Sequence, residues 1–306
     1  MVNEYMLTDG RWTPASAGKG NWIRAVNPTE DELAALASTY NVEIEDLRSG
    51  LDDLELPRYE DNEGYIMLYM ATSRMFEDAS WRAATLGIAV LPDVTITVSR
   101  HETELVEGFK DARFKCTGEC AGKDVALQLL LKSTQLFIRD LHIIDQKNAE
   151  LEKKLGIAMK NSLIFSMLSL QKSLVYLRTA VNGNQSMLEK LNTVEWLVND
   201  PKRKGLLDDI RIENRQACDM AAIYTDIMGN TVDAFASVIN NNLNVVMKLL
   251  TGLTLIMAIP VIVMSAFGMN VPMHWVESHA AFFWIVLFAT GLTGLAAYFM
   301  VKKRLF

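Results

Sequence analysis

Two long runs of apolar residues near the carboxyl end dominate the hydrophobic pattern of the chain. Residues 249–267 and 281–300 contain no charged side chain. Each run is close to the ~20 residues that a helix needs to cross a ~30 Å hydrocarbon core. The pattern predicts transmembrane helices at 249–267 and 281–301, joined by a short loop at 268–280. A buried helical pair in a soluble protein is the poorer alternative for two uncharged runs of this length.

A stretch with almost no helix-breaking residues precedes the first span. Pro260 is the only proline after position 201 in this stretch, and apolar residues recur at near-heptad spacing. At 1.5 Å per residue, about 65 residues make a helix of roughly 100 Å, of which the membrane absorbs a third. We therefore expect residues 201–248 to form a stalk that packs against neighbouring copies. The apolar positions are Met220, Tyr224, Ile227, Val232, Phe235, Ile239, Leu243, Val246 and Leu250.

Residues 124–200 are predicted to form a second pair of helices. Amphipathic patterns cover 124–155 and 158–181, and the sequence Asn182-Gly183-Asn184 after them predicts a turn. These helices are expected to support the long helix as a bundle.

The pattern of residues 1–123 differs and predicts a small α/β domain. Residues 65–72 and 85–99 are strand-like, and the second segment is divided by a turn at 91–93. Thr29 with Glu32 three residues later is typical of a helix start.

Composition and charge exclude several classes of protein. The formal net charge is −7, whereas nucleic-acid binders normally present a basic patch, so we expect no nucleic-acid partner. Three cysteines, an odd number, argue against a disulfide framework, and Cys116 and Cys120 lack further ligands at zinc-finger spacing. The sequence has no Gly-rich phosphate loop, nucleophile elbow or His-rich motif, which favours a protein that is not an enzyme.

Basic residues near the two spans predict their orientation. Lys302, Lys303 and Arg304 lie in the tail, residues 302–306, and Lys248 abuts the first span, whereas the loop 268–280 contains no Lys or Arg. The positive-inside rule therefore predicts that both termini are cytoplasmic in the cell membrane. The absence of a signal-peptide pattern agrees with a large cytosolic amino-terminal domain.

A chain with one helical hairpin can conduct ions only if several copies surround an axis. The first span is the better candidate for the lining, because small or weakly polar side chains recur along it at steps of three or four residues. Small residues in membrane helices also serve as packing surfaces, and this alternative stays open. Asn244, one heptad before Thr251, is predicted at the inner mouth of such a pore. The stripe consists of Thr251, Thr254, Ala258, Val261 and Ser265.

The first span ends in Phe267-Gly268-Met269-Asn270, shortly before the second span begins. In this topology the motif resembles the CorA family of magnesium channels, whose hallmark is an aromatic residue followed by Gly-Met-Asn at this point. The resemblance implies an α+β cytosolic domain followed by a long α-helical stalk and two transmembrane helices, assembled as a funnel-shaped homopentamer. It also implies Mg²⁺ as the transported ion, with a selectivity filter at Gly268, Met269 and Asn270.

The resemblance also assigns roles along the long helix. Met247 and Leu250 would form an apolar constriction that gates by dewetting, close to the amide of Asn244. No nucleotide site is implied, since two charges that cross 100 mV gain about 4.6 kcal/mol.

Feedback by internal Mg²⁺ is a further implication of the resemblance. Asp209 corresponds to a carboxylate that senses the ion between cytosolic domains, and Asp233 to an acidic residue nearer the axis. The partner of Asp209 across the interface is then Glu77 or Asp78. The implied partners are divalent metal ions, the lipid bilayer and further copies of the chain.

Other functions stay open on the same sequence. A transporter or exporter of Zn²⁺ or another divalent ion is the nearest one, although such relatives commonly carry Gly-Val-Asn, so that Met269 favours magnesium. The loop also departs from the family pattern, because Pro272 and Glu277 are apart. A non-conducting, membrane-anchored sensor is the alternative from another class.

Overall fold

The structure is a computed structural model that describes residues 1–8, 11–16, 18–111, 122–157, 161–269 and 280–303. The chain divides into two compact units, Met1–Val232 and Asp233–Phe306. The strands are β1 (Val2–Thr8), β2 (Arg11–Pro14), β3 (Trp22–Val26), β4 (Arg58–Asn62), β5 (Tyr65–Met75), β6 (Trp81–Val90) and β7 (Thr95–Ser99). The helices are α1 (Glu30–Tyr40), α2 (Ile44–Ser49), α3 (Glu104–Asp111), α4 (Gly122–Ile157), α5 (Asn161–Leu191), α6 (Glu195–Val198), α7 (Pro201–Phe267) and α8 (Ala281–Lys302).

The first unit is built on one seven-stranded sheet with the order β2-β1-β3-β7-β6-β5-β4. Neighbouring strands are antiparallel except for β3 and β7, which are parallel. The strands predicted at 65–72 and on both sides of the turn at 91–93 are confirmed as β5, β6 and β7. Four further strands, β1 to β4, had no prediction.

Helices cover both faces of the sheet. Side chains of β5 alternate between two cores: Leu68 and Met70 pack with residues of α3, α4 and α5, whereas Met67 and Tyr69 pack with residues of α1 and α2. A strand that is buried on both faces is apolar throughout, which explains the unbroken apolar run of this segment.

Helix α1 begins as its local sequence predicts. Thr29 is the N-cap, its hydroxyl accepts a hydrogen bond from the backbone N–H of Glu32, and the Glu32 carboxylate accepts one from the backbone N–H of Thr29. This reciprocal capping box satisfies two backbone donors that the helix leaves free.

Helices α4 and α5 pack against the sheet and share a core with the first turns of α7, where Leu207 and Ile210 are buried. Residues 1–123 and 124–200 thus belong to one compact unit. The predicted turn at residues 182–184 is wrong, because α5 continues through them.

Contacts distant in sequence explain why α5 is not interrupted. Gly183 lies against Pro57, where a Cβ atom would come within 2.9 Å of the ring. The Asn184 side chain accepts a hydrogen bond from the N–H of Ala71 and donates one to its carbonyl oxygen, both at 2.9 Å. The two residues that resemble a turn signal are therefore packing residues.

Helix α7 has 67 residues and contains Pro260 without ending there. Proline has no N–H, so the carbonyl of Ile256 loses its partner within the helix. Helices α7 and α8 each contain a segment long and apolar enough to cross a membrane. The two predicted spans, residues 249–267 and 281–301, lie within these helices.

Candidate functional site

The predicted pore residues lie along one face of α7. Seven positions, counted from Asn244 at 100° per residue, fall within an arc of about 120° on an ideal helix. The helix is continuous over this segment, so the spacing places all seven residues on one helix. The seven residues are Asn244, Met247, Leu250, Thr251, Thr254, Ala258 and Val261.

This face is open in the single chain. Met247 is 59% exposed and Leu250 is 56% exposed, and Val261 is exposed as well. The Thr254 hydroxyl donates to the carbonyl oxygen of Leu250 at 2.8 Å, one turn earlier in the same helix. Ala258 alone among the seven is half-buried. The face therefore presents apolar and weakly polar groups to whatever surrounds it.

Helix α7 ends directly before the Gly-Met-Asn motif. The Gly268 N–H donates to the Met264 carbonyl oxygen at 2.9 Å, which closes the last turn. Met269 follows with 64% of its surface exposed. Asn270, the predicted filter residue, lies outside the described residues, as do Pro272 and Glu277 and the cysteines Cys116 and Cys120.

The second span, α8, has large apolar and aromatic side chains around its surface. Its buried positions are small residues, Ala281 and Ala289, while Phe283 and Trp284 are exposed. Lys302 lies over the ring of Tyr298 at 5.8 Å. Such a helix is suited to lipid on much of its circumference.

Asp209 and Asp208 on α7 have different surroundings although they are adjacent. Asp208 accepts a hydrogen bond from Arg211 at 3.3 Å. Asp209 is exposed and forms no ion pair with any residue that the structure describes. Its carboxylate is thus available to a cation from outside the chain.

The two candidate partners of Asp209 also differ from one another. Asp78 accepts hydrogen bonds from the Ser80 hydroxyl at 2.5 Å and from the Ser80 N–H at 3.0 Å, and it pairs with Arg82 at 2.7 Å. These contacts, with the Ser80 hydroxyl the strongest, hold the pKa of the Asp78 carboxyl below its ordinary value. Glu77 is exposed and forms no ion pair within the described chain.

The role of Ser80 and Arg82 was not predicted from the sequence. Ser80 and Arg82 follow Asp78 by two and four residues. This spacing is a local signal for an Asp carboxylate that accepts hydrogen bonds from residues of its own turn. Arg82 brings a positive charge to Asp78, whereas Glu77 has no ion pair among the described residues.

Among the described residues, His, Cys, Asp and Glu form no group of three or more that could hold a metal ion. Asp209 and Asp233 are both exposed. One oxygen ligand binds a divalent ion weakly, because Mg²⁺ and Ca²⁺ take six or more. A cation at these carboxylates therefore needs water, a second chain, or both.

Comparison with known proteins gives a consistent result. A family model described as "CorA-like Mg2+ transporter protein" matches residues 17–303. A curated protein of Methanocaldococcus jannaschii, "Cobalt/magnesium transport protein CorA", is 24% identical over 270 residues, which cover 87% of this chain and 84% of that protein.

Solved structures agree with this fold. The complete structure of the CorA magnesium transporter of Methanocaldococcus jannaschii superposes with a TM-score of 0.83 at 21% identity, covering 98% of this chain and 96% of that one. The full-length CmaX protein superposes with a TM-score of 0.72 at 13% identity, again covering 98% and 96%. The similarity includes the sheet domain, the long helix and both candidate spans.

The family match extends over nearly the whole chain, and the motif after α7 and the two apolar helices agree with it. The chain belongs to the CorA-like Mg²⁺ transporter family, a family of membrane proteins that transport divalent cations.

Proposed function

We propose that this protein is a passive Mg²⁺ channel in which several copies surround one axis, five of them by resemblance to the family. The observation that carries the proposal is the face of seven residues along α7, which begins at Asn244 and leads to Gly268 and Met269. The cobalt/magnesium name of the 24% identical relative supports Mg²⁺ or Co²⁺ as the transported ion.

Asn270, contributed by each copy, forms the selectivity ring. Mg²⁺ dehydrates reluctantly and usually keeps several waters, so a ring of neutral amide oxygens suits a hydrated ion. A ring of carboxylates would hold the ion more tightly and slow its release. Gly268 allows the chain to leave the helix, and Met269 completes the motif.

The inner part of the same face forms the gate. Met247 and Leu250 are an apolar constriction that expels water when the copies approach each other, and Asn244 offers an amide to the ion beside it. Thr251, Thr254, Ala258 and Val261 line the path between gate and filter.

Mg²⁺ enters down its electrochemical gradient. With both termini in the cytoplasm and the loop outside, two charges that cross 100 mV gain about 4.6 kcal/mol, and no nucleotide is needed. Internal Mg²⁺ then closes the pore by binding between copies at Asp209, with Glu77 or Asp78 of a neighbouring copy and with Asp233 as a second site.

Flux into proteoliposomes tests the proposal. The purified protein should admit Mg²⁺ when the lumen is Mg²⁺-free and negative, and Asn270→Ala should lose selectivity for Mg²⁺ over Ca²⁺ or abolish uptake. Asn241→Ala is a matched control, because position 241 lies on α7 but about 60° outside the arc of the lining face.

The outcomes separate the alternatives. Uptake of Zn²⁺ in preference to Mg²⁺, Co²⁺ and Ni²⁺ would indicate a zinc transporter of the same family. Absence of any divalent flux at low internal Mg²⁺ would indicate a membrane-anchored sensor. Persistent, selective Mg²⁺ uptake in Asn270→Ala would contradict the filter.

A further inference from the structure

A polar cleft lies in the first unit, and none of the described residues that line it belongs to α7. It has a cavity volume of about 570 Å³ and is bounded by the ends of β5 and β6, the segment before α3, and helix α4. Cavities of a few hundred Å³ and more are typical of small-molecule sites. The proposed conduction path uses none of its residues.

The carboxylates of this cleft are matched by cations. Arg139 pairs with Glu104 and, at 2.8 Å, with Asp140. Asp140 also accepts a hydrogen bond from the Ser73 hydroxyl at 2.6 Å, and its side chain is only 3% exposed. Glu102 lies 3.5 Å from Arg24. These acidic groups are therefore satisfied within the protein.

Two cations of the cleft are not matched by carboxylates. Arg74 has a buried Nη1 atom with no hydrogen-bond partner among the described residues, and its guanidinium lies over the Phe76 ring at 4.5 Å. The Lys147 ammonium lies over the Trp81 ring at 4.4 Å and forms no ion pair within the described chain. An aromatic ring satisfies the charge of such a group in part, and it offers no oxygen acceptor to the unpartnered Nη1 of Arg74.

An unsatisfied buried donor on a charged group destabilises a protein, and a bound acceptor removes that cost. Guanidinium and ammonium groups bind phosphate and carboxylate oxygens through charge-assisted hydrogen bonds. We propose that this cleft binds a small multivalent oxyanion, a polyphosphate or polycarboxylate, between Arg74 on β5 and Lys147 on α4.

Calorimetric titration of the full-length protein in detergent tests this site. Citrate, tripolyphosphate and ATP are the probes, in divalent-free buffer prepared without a chelator, because chelators are themselves polycarboxylates. At least one probe should bind, and Arg74→Gln and Lys147→Gln should each weaken its binding at least tenfold. The same probe should raise the melting temperature of the wild-type protein, since a ligand of the native state stabilises it.

Lys153→Gln is the matched control, because Lys153 is exposed on the same helix α4 outside the cleft. Binding of citrate alone would identify a carboxylate ligand, and binding of tripolyphosphate a phosphate ligand. Tighter binding of ATP than of tripolyphosphate would show that the site recognises a nucleoside as well as phosphate groups. If no probe binds the wild-type protein, or if both cleft variants bind as tightly as Lys153→Gln, the proposal is wrong.

Discussion

Asp209 is the residue on which the proposed feedback depends most directly. If it holds a divalent cation between copies, Asp209→Asn should raise the internal Mg²⁺ concentration that closes the pore by about fivefold or more, within the usual range of coupling between sites. Uptake at low internal Mg²⁺ should stay unchanged, because position 209 is not part of the pore face. Flux measured against a series of internal Mg²⁺ concentrations gives the shift.

Asp208→Asn provides the control for this prediction. Asp208 is the neighbouring carboxylate and already pairs with Arg211. Loss of feedback of equal size in both variants would point to a general change of charge on α7 and would count against Asp209 as the sensor.

Asn184 is a residue whose role in stability can be tested in the same way. The Asn184 amide forms hydrogen bonds with both the N–H and the carbonyl oxygen of Ala71 on β5. These two backbone groups point away from β6, at a position of β5 where β4 no longer pairs with it. The side chain thus substitutes for a missing strand. Asn184→Ala should destabilise the protein by about 2–4 kcal/mol, since two buried hydrogen bonds are lost.

Asn182→Ala controls for the effect of alanine on helix propensity, because Asn182 is exposed on the same helix. Thermal or denaturant unfolding of both variants in detergent measures the difference. Equal stability of the two would show that the hydrogen bonds to Ala71 contribute little.

At the scale of elements, the glycines of α5 and α7 offer a contrast. Alanine normally stabilises a helix interior by up to about 1 kcal/mol relative to glycine. At Gly205 no atom would meet the added methyl group, so Gly205→Ala should increase stability. At Gly183 the methyl would lie 2.9 Å from the rigid ring of Pro57, so Gly183→Ala should decrease stability despite its better propensity.

Melting temperatures of the two variants test this prediction, which is an increase for Gly205→Ala and a decrease for Gly183→Ala. A gain in stability for Gly183→Ala would mean that β4 and the segment before it move away from α5 at little cost, contrary to the close packing seen here.

Some elements were predictable from the sequence, and the physical reason is clear in each case. The strands β5 and β6 are apolar because both of their faces are buried, and α1 begins at a capping box formed by residues three apart. Strands β1 to β4 were not predicted, because their sequences include polar or charged residues and lack an apolar run like that of β5, and they rely on pairing with each other or with β5 and β7. The continuity of α5 depended on Pro57 and Ala71, which no local pattern indicates.

At the scale of the whole molecule, the lining face predicts where copies approach each other. In a background without Cys116, Cys120 and Cys218, Met247→Cys should form disulfide-linked dimers under mild oxidation, because position 247 lies at the centre of the arc. Leu249→Cys should not, because position 249 lies about 160° away around the helix. Both side chains are similarly exposed in the single chain, at 59% and 57%, so exposure alone gives no difference between them.

Non-reducing gel electrophoresis of protein in native membranes gives the result. Cross-linking of Leu249→Cys without that of Met247→Cys would mean that another face of α7 is turned to the neighbouring copy, and the assignment of the pore face would fail.

The sequence by itself determined the two spans, the long helix between residues 201 and 267, the face that runs from Asn244 to Val261, and the family. Bilayer thickness, helix periodicity and a motif at a helix end are local properties, so they can be recognised without knowledge of the fold. The structure showed which carboxylates are paired, although these contacts are local: Arg211 and Arg82 engage Asp208 and Asp78 from three and four residues away and leave Asp209 and Glu77 without an ion pair among the described residues. Only the tertiary structure decided the uninterrupted path of α5 and the cleft between Arg74 and Lys147, since these depend on contacts between residues far apart in the chain.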